Sequence, residues 1–167
     1  VEHGDPETEG PDKPYFSGST DIDVAARRVN TAQVTAHVAK SQTFVRITEA
    51  FAKFYHDAEF TVTTGSGNEF TFRPDGTGDP ERIWVKTGTT LTVSGTARSQ
   101  SQDGEKEGPL YTFPAETLDV TVAATCHIFT FDASNAGSAS LNIVLGEGEG
   151  ETRVIPVELN EEAIPSK

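Results

Sequence analysis

The period of the apolar residues changes twice between residues 30 and 73, and this limits what the chain can fold into. Residues 31–39 alternate strictly between apolar and polar side chains, which is typical of a half-buried strand. Residues 47–58 carry apolar side chains at helical spacing, and Thr48 is a suitable N-cap. Alternation returns on both sides of a glycine-rich turn at residues 65–68. The pattern predicts strand, short helix, strand, tight turn and strand.

The apolar positions of this stretch define a predicted core. A helix this short is not stable alone in water, so we expect it to lie against the sheet. The residues predicted to face inward are Ala32, Val34, Ala36 and Val38 on the first strand, Ile47, Phe51, Phe54 and Ala58 on the helix, and Phe60, Val62, Phe70 and Phe72 on the hairpin.

Further strands are predicted by alternation before and after this stretch. Turn signals recur about every 8–12 residues, as in β-sandwiches. Between residues 128 and 131 both faces are apolar, which indicates a central strand or one that bends between sheets. We therefore predict an all-β Greek-key β-sandwich, immunoglobulin- or transthyretin-like, with one short helix. The additional strands are predicted at residues 21–26, 82–86, 89–98, 110–113, 118–131, 138–145 and 155–159.

The first 20 residues differ in composition from the rest. They are acidic and rich in glycine, and three prolines (Pro6, Pro11 and Pro14) lack the amide that a regular ladder needs. We expect residues 1–20 to be an extended arm or a linker from a preceding domain, and residues 21–167 to be the sandwich domain. Since the chain begins at Val1 without methionine, we also expect a leader and further residues before it.

The charge and the cysteine count exclude several classes of function. The chain has 26 acidic and 13 basic residues and a net charge of −13, so it would repel nucleic acid and anionic membranes. A single cysteine, Cys126, cannot form an intramolecular disulfide, and its apolar strand predicts a buried, unreactive thiol. No apolar run is long enough to insert into a membrane. We expect no cofactor.

The motifs of catalysis are missing from the sequence. The four histidines (His3, His37, His56 and His127) have no metal-ligand spacing. There is no nucleophile elbow, and Cys126 and His127 would point to opposite faces of one strand. Paired carboxylates for glycoside hydrolysis have no motif to support them. The sequence predicts a protein that is not an enzyme.

Two weak binding hypotheses remain. Asp75, Asp79 and Glu81 place carboxylates on a turn, as calcium requires, although a solvated loop is the simpler explanation. Trp84 lies on the strand face opposite Ile83 and Val85 and could stack on a sugar, with Tyr111 and Tyr15 as weaker candidates. The alternative is that Trp84 packs under the helix or a loop. The acidic turn of Glu147, Glu149 and Glu151 is expected to protect the end of a sheet.

Backbone recognition is the remaining binding mode. A sandwich with an arm at one end can donate or accept a strand at an exposed edge, and this is how fimbrial subunits join. The arm could thus act as a donor strand, with self-association through edge strands, although a disordered end of the chain is the simpler interpretation of the arm.

The order of several motifs resembles a Bacteroidetes family of secreted surface proteins of unknown function. The resemblance spans most of the chain. The motifs that carry it are Gly4-Asp-Pro-Glu-x-Glu-Gly, Lys13-Pro-Tyr-Phe-Ser-Gly, Ala32-Gln-Val-Thr-Ala-His-Val-Ala, Thr48-Glu-Ala-Phe-x-Lys-Phe, Phe60-Thr-Val-Thr-Thr-Gly, Thr89-Thr-Leu-Thr-Val-Ser-Gly-Thr and His127-Ile-Phe-Thr-Phe-Asp.

The resemblance implies a location and a function class. Members resemble lipid-anchored surface proteins of the outer membrane of Gram-negative bacteria, often encoded near fimbrillin-like components. We therefore expect a non-catalytic extracellular domain for adhesion or fimbria-like appendage assembly, with a protein or a glycan of the cell surface as partner. The alternative is a carbohydrate-binding module of a surface glycan-capture protein.

Overall fold

The protein is a β-sandwich in the computed structural model, which describes residues 1–78, 80–100, 108–135, 138–145, 151–155 and 158–159. Within these residues the chain forms two five-stranded sheets, a separate three-stranded sheet and one short helix. The prediction of an all-β sandwich with one short helix is therefore confirmed. In chain order the elements are β1 (Glu2–His3), β2 (Phe16–Ser17), β3 (His37–Val38), β4 (Ser41–Ile47), α1 (Glu49–Phe54), β5 (Tyr55–Thr64), β6 (Glu69–Phe72), β7 (Ile83–Val85), β8 (Leu91–Ser99), β9 (Leu110–Leu118), β10 (Cys126–Asp132), β11 (Ala139–Leu145), β12 (Glu151–Ile155) and β13 (Glu158–Leu159).

Consecutive segments of the chain often lie in different large sheets. The first has the strand order β12-β11-β10-β4-β7, the second has the order β13-β9-β8-β5-β6, and the small sheet has the order β1-β2-β3. The chain passes between the large sheets after β4, β6, β7, β9 and β12. Neighbouring strands are antiparallel except β4 and β10, which run parallel from the pair Cys126 and Gln42 to the pair Phe131 and Ile47.

The helix α1 connects the two sheets, as its position between β4 and β5 requires. Thr48 is its N-cap, and its side-chain oxygen accepts a hydrogen bond from the amide of Phe51 at 3.1 Å. Phe51 is fully buried, so the predicted cap and inward face are confirmed. The helix is shorter than the apolar stripe predicted, because Tyr55 already has extended backbone and Ala58 is buried in β5.

Aromatic rings from four elements form the centre of the core. Phe60 of β5 stacks on Phe131 of β10 with ring centroids 4.0 Å apart, and Phe113 of β9 lies 5.9 Å from Phe131. Phe51 of α1 lies 5.6 Å from Phe113. Because these elements belong to both large sheets and to the helix, this cluster holds the two layers together. The predicted inward residues Val62 and Phe72 are also buried, as are the alternating apolar residues of two later strands, Leu91, Val93, Leu141 and Ile143.

The two predicted strands at residues 21–26 and 31–39 are wrong. Only His37–Val38 is a strand, and the rest of residues 19–36 is irregular, with Val24 81% exposed. An alternating segment can pair with a neighbouring strand, but among the described residues no strand lies beside residues 19–36 to pair with them. The strand that enters the sheet is Ser41–Ile47, where Phe44 and Val45 are fully buried. These larger side chains bury more apolar area than the alanines before them.

The predicted long strand at residues 118–131 is also wrong in its first part. β9 ends at Leu118 and β10 begins at Cys126, and between them Val120 and Val122 are 57% and 50% exposed. Ala124 has a φ of 55°, which a strand does not contain. This segment carries the chain from one sheet to the other, so its alternating residues do not form a strand within either sheet.

The remaining strand predictions agree with the structure in part. The segment at residues 128–131 was predicted to be central, and β10 lies between β11 and β4. Residues 155 and 159 were assigned to one strand, but Ile155 ends β12 in the first sheet and Leu159 ends β13 in the second. The polar composition of residues 99–109 predicts a long exposed hairpin tip, of which residues 101–107 lie outside the described residues. The acidic turn also lies outside them except Glu151, which begins β12.

Candidate functional site at the sheet edges

The first 18 residues form a closed loop, here called the N-terminal loop. Its ends meet where the Val1 ammonium donates to the carbonyl of Gly18 at 2.7 Å and β1 pairs with β2. We predicted an extended segment, and this is wrong because hydrogen bonds within the loop and to the sandwich turn it back. The division of the chain into a linker and a domain at residue 20 stays a prediction.

The side chain of Lys40 holds the N-terminal loop from inside. Lys40 is 2% exposed, and its ammonium donates hydrogen bonds to the carbonyls of Asp5, Thr8 and Lys13 at 2.6, 2.5 and 3.0 Å. Burial lowers the pKa of Lys40, while the nearby carboxylates of Asp5 and Glu9 act in the opposite direction. Sequence patterns did not indicate Lys40, because the carbonyls that it binds lie 27 to 35 residues away along the chain.

Two glutamates tie the same loop to both large sheets. Glu9 accepts hydrogen bonds from the side chains of Thr64 and Asn68, both at 2.7 Å, at the turn between β5 and β6. Its other oxygen accepts from the amide of Lys86 at 3.0 Å, just after β7. Glu7 pairs with the Lys86 ammonium at 2.5 Å, and this bond raises the pKa of Lys86. One loop therefore connects the edges of both sheets.

The backbone of the loop covers the outer edge of β7. Gly10 exchanges two hydrogen bonds with Trp84, each 2.9 Å long, as an antiparallel bridge. Gly10 is buried with a φ of +132°, and a Cβ there would lie 3.6 Å from the ring of Phe70, so glycine suits the position. The motif at residues 4–10 thus closes one sheet edge by backbone pairing.

The edge of β6 is different. In the part of the chain that the structure describes, no strand pairs with its outer side. A cavity of about 370 Å³ runs along this strand, and we call it the edge groove. Its floor is apolar, while charged side chains stand at its rim. It is lined by Pro11, Glu69, Phe70, Thr71, Phe72, Arg73, Pro80, Glu81 and Ile83.

The two predicted aromatic ligand contacts lie in different sheets. Trp84 is half-buried in β7 while Ile83 and Val85 are buried, so the predicted orientation is confirmed. Tyr111 is half-buried in β9 and its ring meets the ring of Tyr55 edge-to-face at 5.7 Å. Since the two side chains belong to different layers, the structure does not unite them in one stacking platform. Their roles as sugar contacts stay predictions.

A second cavity of about 570 Å³ lies beside the helix α1. Its wall contains an irregularity in the pairing of β5 with β8 between His56 and Glu59, where Asp57 has a φ of 49°. His56 Nδ1 lies 2.9 Å from the Asp57 carboxylate, and Glu59 pairs with Arg73 at 2.8 Å. Strained backbone and paired charges in a cavity wall are common at ligand sites. Sequence patterns did not indicate this cavity.

The two predicted calcium ligands that the structure describes, Asp75 and Glu81, line different cavities, and the calcium site stays a prediction. Asp75 is exposed, and its Oδ1 accepts from the amide and the hydroxyl of Thr77 at 2.9 and 2.6 Å. These bonds lower the pKa of Asp75 and explain the carboxylate as part of the turn. Glu81 lines the edge groove instead, and Asp79 lies outside the described residues. Within the described ranges no three His, Cys, Asp or Glu side chains form a metal cluster.

His127 is a buried titratable group at the start of β10. Its Nε2 accepts a hydrogen bond from the amide of Val122 at 3.0 Å, while its buried Nδ1 has no hydrogen-bond partner among the residues described. Burial lowers the pKa of His127. The neighbouring Cys126 is half-buried, so the prediction of a fully buried thiol is wrong. The predicted alternation of Cys126 and His127 along the strand is confirmed.

The depressed pKa of His127 predicts acid sensitivity. The unfolded chain binds this proton more readily than the folded one, so the free energy of unfolding should fall as the pH drops below about 6.5, by at most about 1.4 kcal/mol per pH unit. The decline should stop below the folded pKa. Urea unfolding at several pH values between 7.5 and 5.0 measures it. The His127→Gln variant should lose this component of the slope, and equal slopes in both proteins would contradict the assignment.

The fold and its edges define an all-β sandwich domain in which the N-terminal loop covers one sheet edge and no strand among the described residues pairs with another. The chain belongs to a family described as a domain of unknown function, DUF4493, whose model matches residues 1–161. Comparisons with curated proteins and with solved structures found no match. No helix among the described residues has the length and apolar character to span a membrane.

Proposed function

We propose that this domain is a non-catalytic extracellular module of a bacterial surface protein, used for adhesion or for assembly of a fimbria-like appendage. The observation that supports the proposal is the contrast between two sheet edges. Gly10 covers the edge of β7, whereas β6 keeps its outer backbone groups beside an apolar groove. An extended segment of a partner can add to such an edge by main-chain hydrogen bonds, with its side chains in the groove.

The charge of the chain fits the same proposal. A net charge of −13 opposes binding to nucleic acid and direct insertion into anionic membranes, so the partner is a protein or a glycan at the cell surface. From the resemblance to lipid-anchored Bacteroidetes surface proteins we propose that the domain lies on the outer membrane of a Gram-negative bacterium, in the neighbourhood of fimbrillin-like components. This location is part of the proposal.

Glycan capture is the second candidate function. The cavity beside α1 supports it, because His56, Asp57 and Arg73 offer hydrogen-bonding groups over an apolar floor that includes Ile47. Trp84, which lies elsewhere, is half-buried on an edge strand. Soluble glycans that quench the fluorescence of this single tryptophan would favour sugar stacking at β7, and unchanged emission would remove Trp84 from that role.

An immunoblot of native outer-membrane fractions, run with and without boiling, tests the proposed function. We expect a ladder of multimers that boiling collapses to one band, because subunits joined by added strands resist detergent until they are heated. We also expect protease added to whole cells to remove the protein. A single band in both samples would overturn assembly, and protection from protease in intact cells would overturn the surface location.

A further inference from the structure

Residues 19–36 leave the sandwich as a protruding loop with an unusual surface. All of these residues are exposed except Val34, which is half-buried. Ile22, Val24 and Val29 are 53%, 81% and 96% exposed, which accounts for three of the six large exposed apolar side chains among the described residues. Scattered apolar residues on a surface are ordinary, but Ile22 and Val24 alternate with Asp21 and Asp23 along one short segment.

The strand pairing at the base of the loop shows how the loop can close. Phe16 pairs with Val38 and Ser17 with His37 in antiparallel register. Continued along both branches, this register would set residue 20 opposite residue 34 and residue 22 opposite residue 32. The resulting hairpin would carry Ile22, Val24, Ala32 and Val34 on one face and Asp21, Asp23, Thr31 and Gln33 on the other.

One residue at the tip of the loop has a backbone conformation that occurs in hairpin turns. Arg27 has a φ of 63°, the left-handed conformation that three-residue hairpin turns use. The two branches do not pair in this structure and instead enclose a gap of about 340 Å³. A two-stranded hairpin is marginally stable alone, so a surface that accepts its apolar face would decide whether it forms.

Charge indicates which surface this is. The loop has two acidic residues, Asp21 and Asp23, and two basic ones at its tip, Arg27 and Arg28, so it is neutral within a chain of net charge −13. The edge groove has the complementary character. Glu69 and Glu81 stand at its rim, while the charge of Arg73 is balanced by Glu59 at 2.8 Å. A basic tip and an apolar face fit an apolar groove with acidic rims.

We propose that the protruding loop of one copy closes into a β-hairpin and adds its first branch to the outer edge of β6 in a second copy. Ile22 and Val24 would then lie in the edge groove against Phe70, and the tip arginines would meet Glu69 and Glu81. Donor and acceptor are different surfaces of one chain, so the contact is head-to-tail and can repeat along a filament. The inference rests on the proposed function and names the partner as a copy of the same chain.

Crosslinking between isotopically labelled copies tests the pairing directly. A photoreactive amino acid replaces Val24, and a mixture of the ¹⁴N and ¹⁵N protein is irradiated at high concentration. We expect crosslinked peptides that join a light chain to a heavy chain and contain residues 69–73. Crosslinks within one chain only would mean that the loop covers its own groove and would overturn the proposal, as would crosslinks to a different surface.

Two valine-to-aspartate substitutions at exposed positions give a second test. Because both introduce the same charge, a difference in self-association between them reports the position of the change. Val24→Asp should weaken self-association, measured by sedimentation equilibrium, by at least about tenfold, because one buried valine is lost from the contact. Val120→Asp is the control, since Val120 is also exposed and lies in an irregular segment. Equal association of both variants would overturn the proposal.

The ladder of multimers from outer-membrane fractions distinguishes two claims. The first is that the domain assembles, which is the proposed function, and the second is that copies pair through the protruding loop. If Val24→Asp abolishes the heat-sensitive multimers of the wild-type protein and Val120→Asp does not, the pairing of copies through the loop is supported. If the ladder persists in Val24→Asp, the domain still assembles but through another donor, and this inference fails alone. A wild-type protein without any ladder would overturn both claims.

Discussion

The Phe131→Ala variant is expected to lose about 3–5 kcal/mol of stability, the range for removing a large aromatic side chain from a closed core. Phe131 is 1% exposed and stacks on Phe60 at a centroid distance of 4.0 Å. It also touches Phe113 and Phe51, so the cavity would be bordered by both sheets and the helix at once. None of these rings can move into the cavity without leaving its own layer.

Thermal and urea unfolding followed by far-UV circular dichroism measure this effect. A loss of this size corresponds to a decrease in Tm of about 10 °C for a domain of this length. Phe131→Leu is a graded variant that should lose much less, because leucine fills most of the volume. Phe16→Ala is the control, since Phe16 is half-buried in the small sheet. A loss below about 1 kcal/mol in Phe131→Ala would contradict the position of this ring between the layers.

The Lys40→Met variant is expected to release the N-terminal loop from the sandwich. Methionine keeps the length of the side chain but has no donors, so the carbonyls of Asp5, Thr8 and Lys13 would lose the partner that they share and the loop would open to water. Hydrogen bonds to a charged donor contribute about 1.5–3 kcal/mol each. Because an opened loop regains bonds to water, we expect a net loss of about 3 kcal/mol.

The single tryptophan reports this release. Trp84 is bridged to Gly10, so opening of the loop should shift its fluorescence to longer wavelength and accelerate hydrogen exchange at both amides. Lys53→Met is the matched control, because Lys53 is exposed on α1 and should change stability by less than about 0.5 kcal/mol. If Lys40→Met left the emission and the exchange of Trp84 unchanged, Lys40 would not be what holds the loop.

Local features were predictable where neighbours in the sequence are also neighbours in space. The N-cap Thr48, the turn at residues 65–68 and the inward faces of β5 and β8 depend on hydrogen bonds and side-chain directions within a few residues. The candidate sites were less predictable. Lys40 and Glu9 act on groups 27 to 35 and 55 to 77 residues away, so no local pattern reveals their role.

The sequence by itself determined the all-β class, the short helix and the large apolar side chains that form the core, because period and residue volume are properties of short segments. Only the tertiary structure decided which alternating segments become strands. Residues 31–36 alternate as regularly as β5, yet β5 has β6 and β8 beside it, whereas no strand among the described residues pairs with residues 31–36. Alternation allows a strand to form, but its backbone hydrogen bonds need a partner strand, and the rest of the fold decides whether one is present.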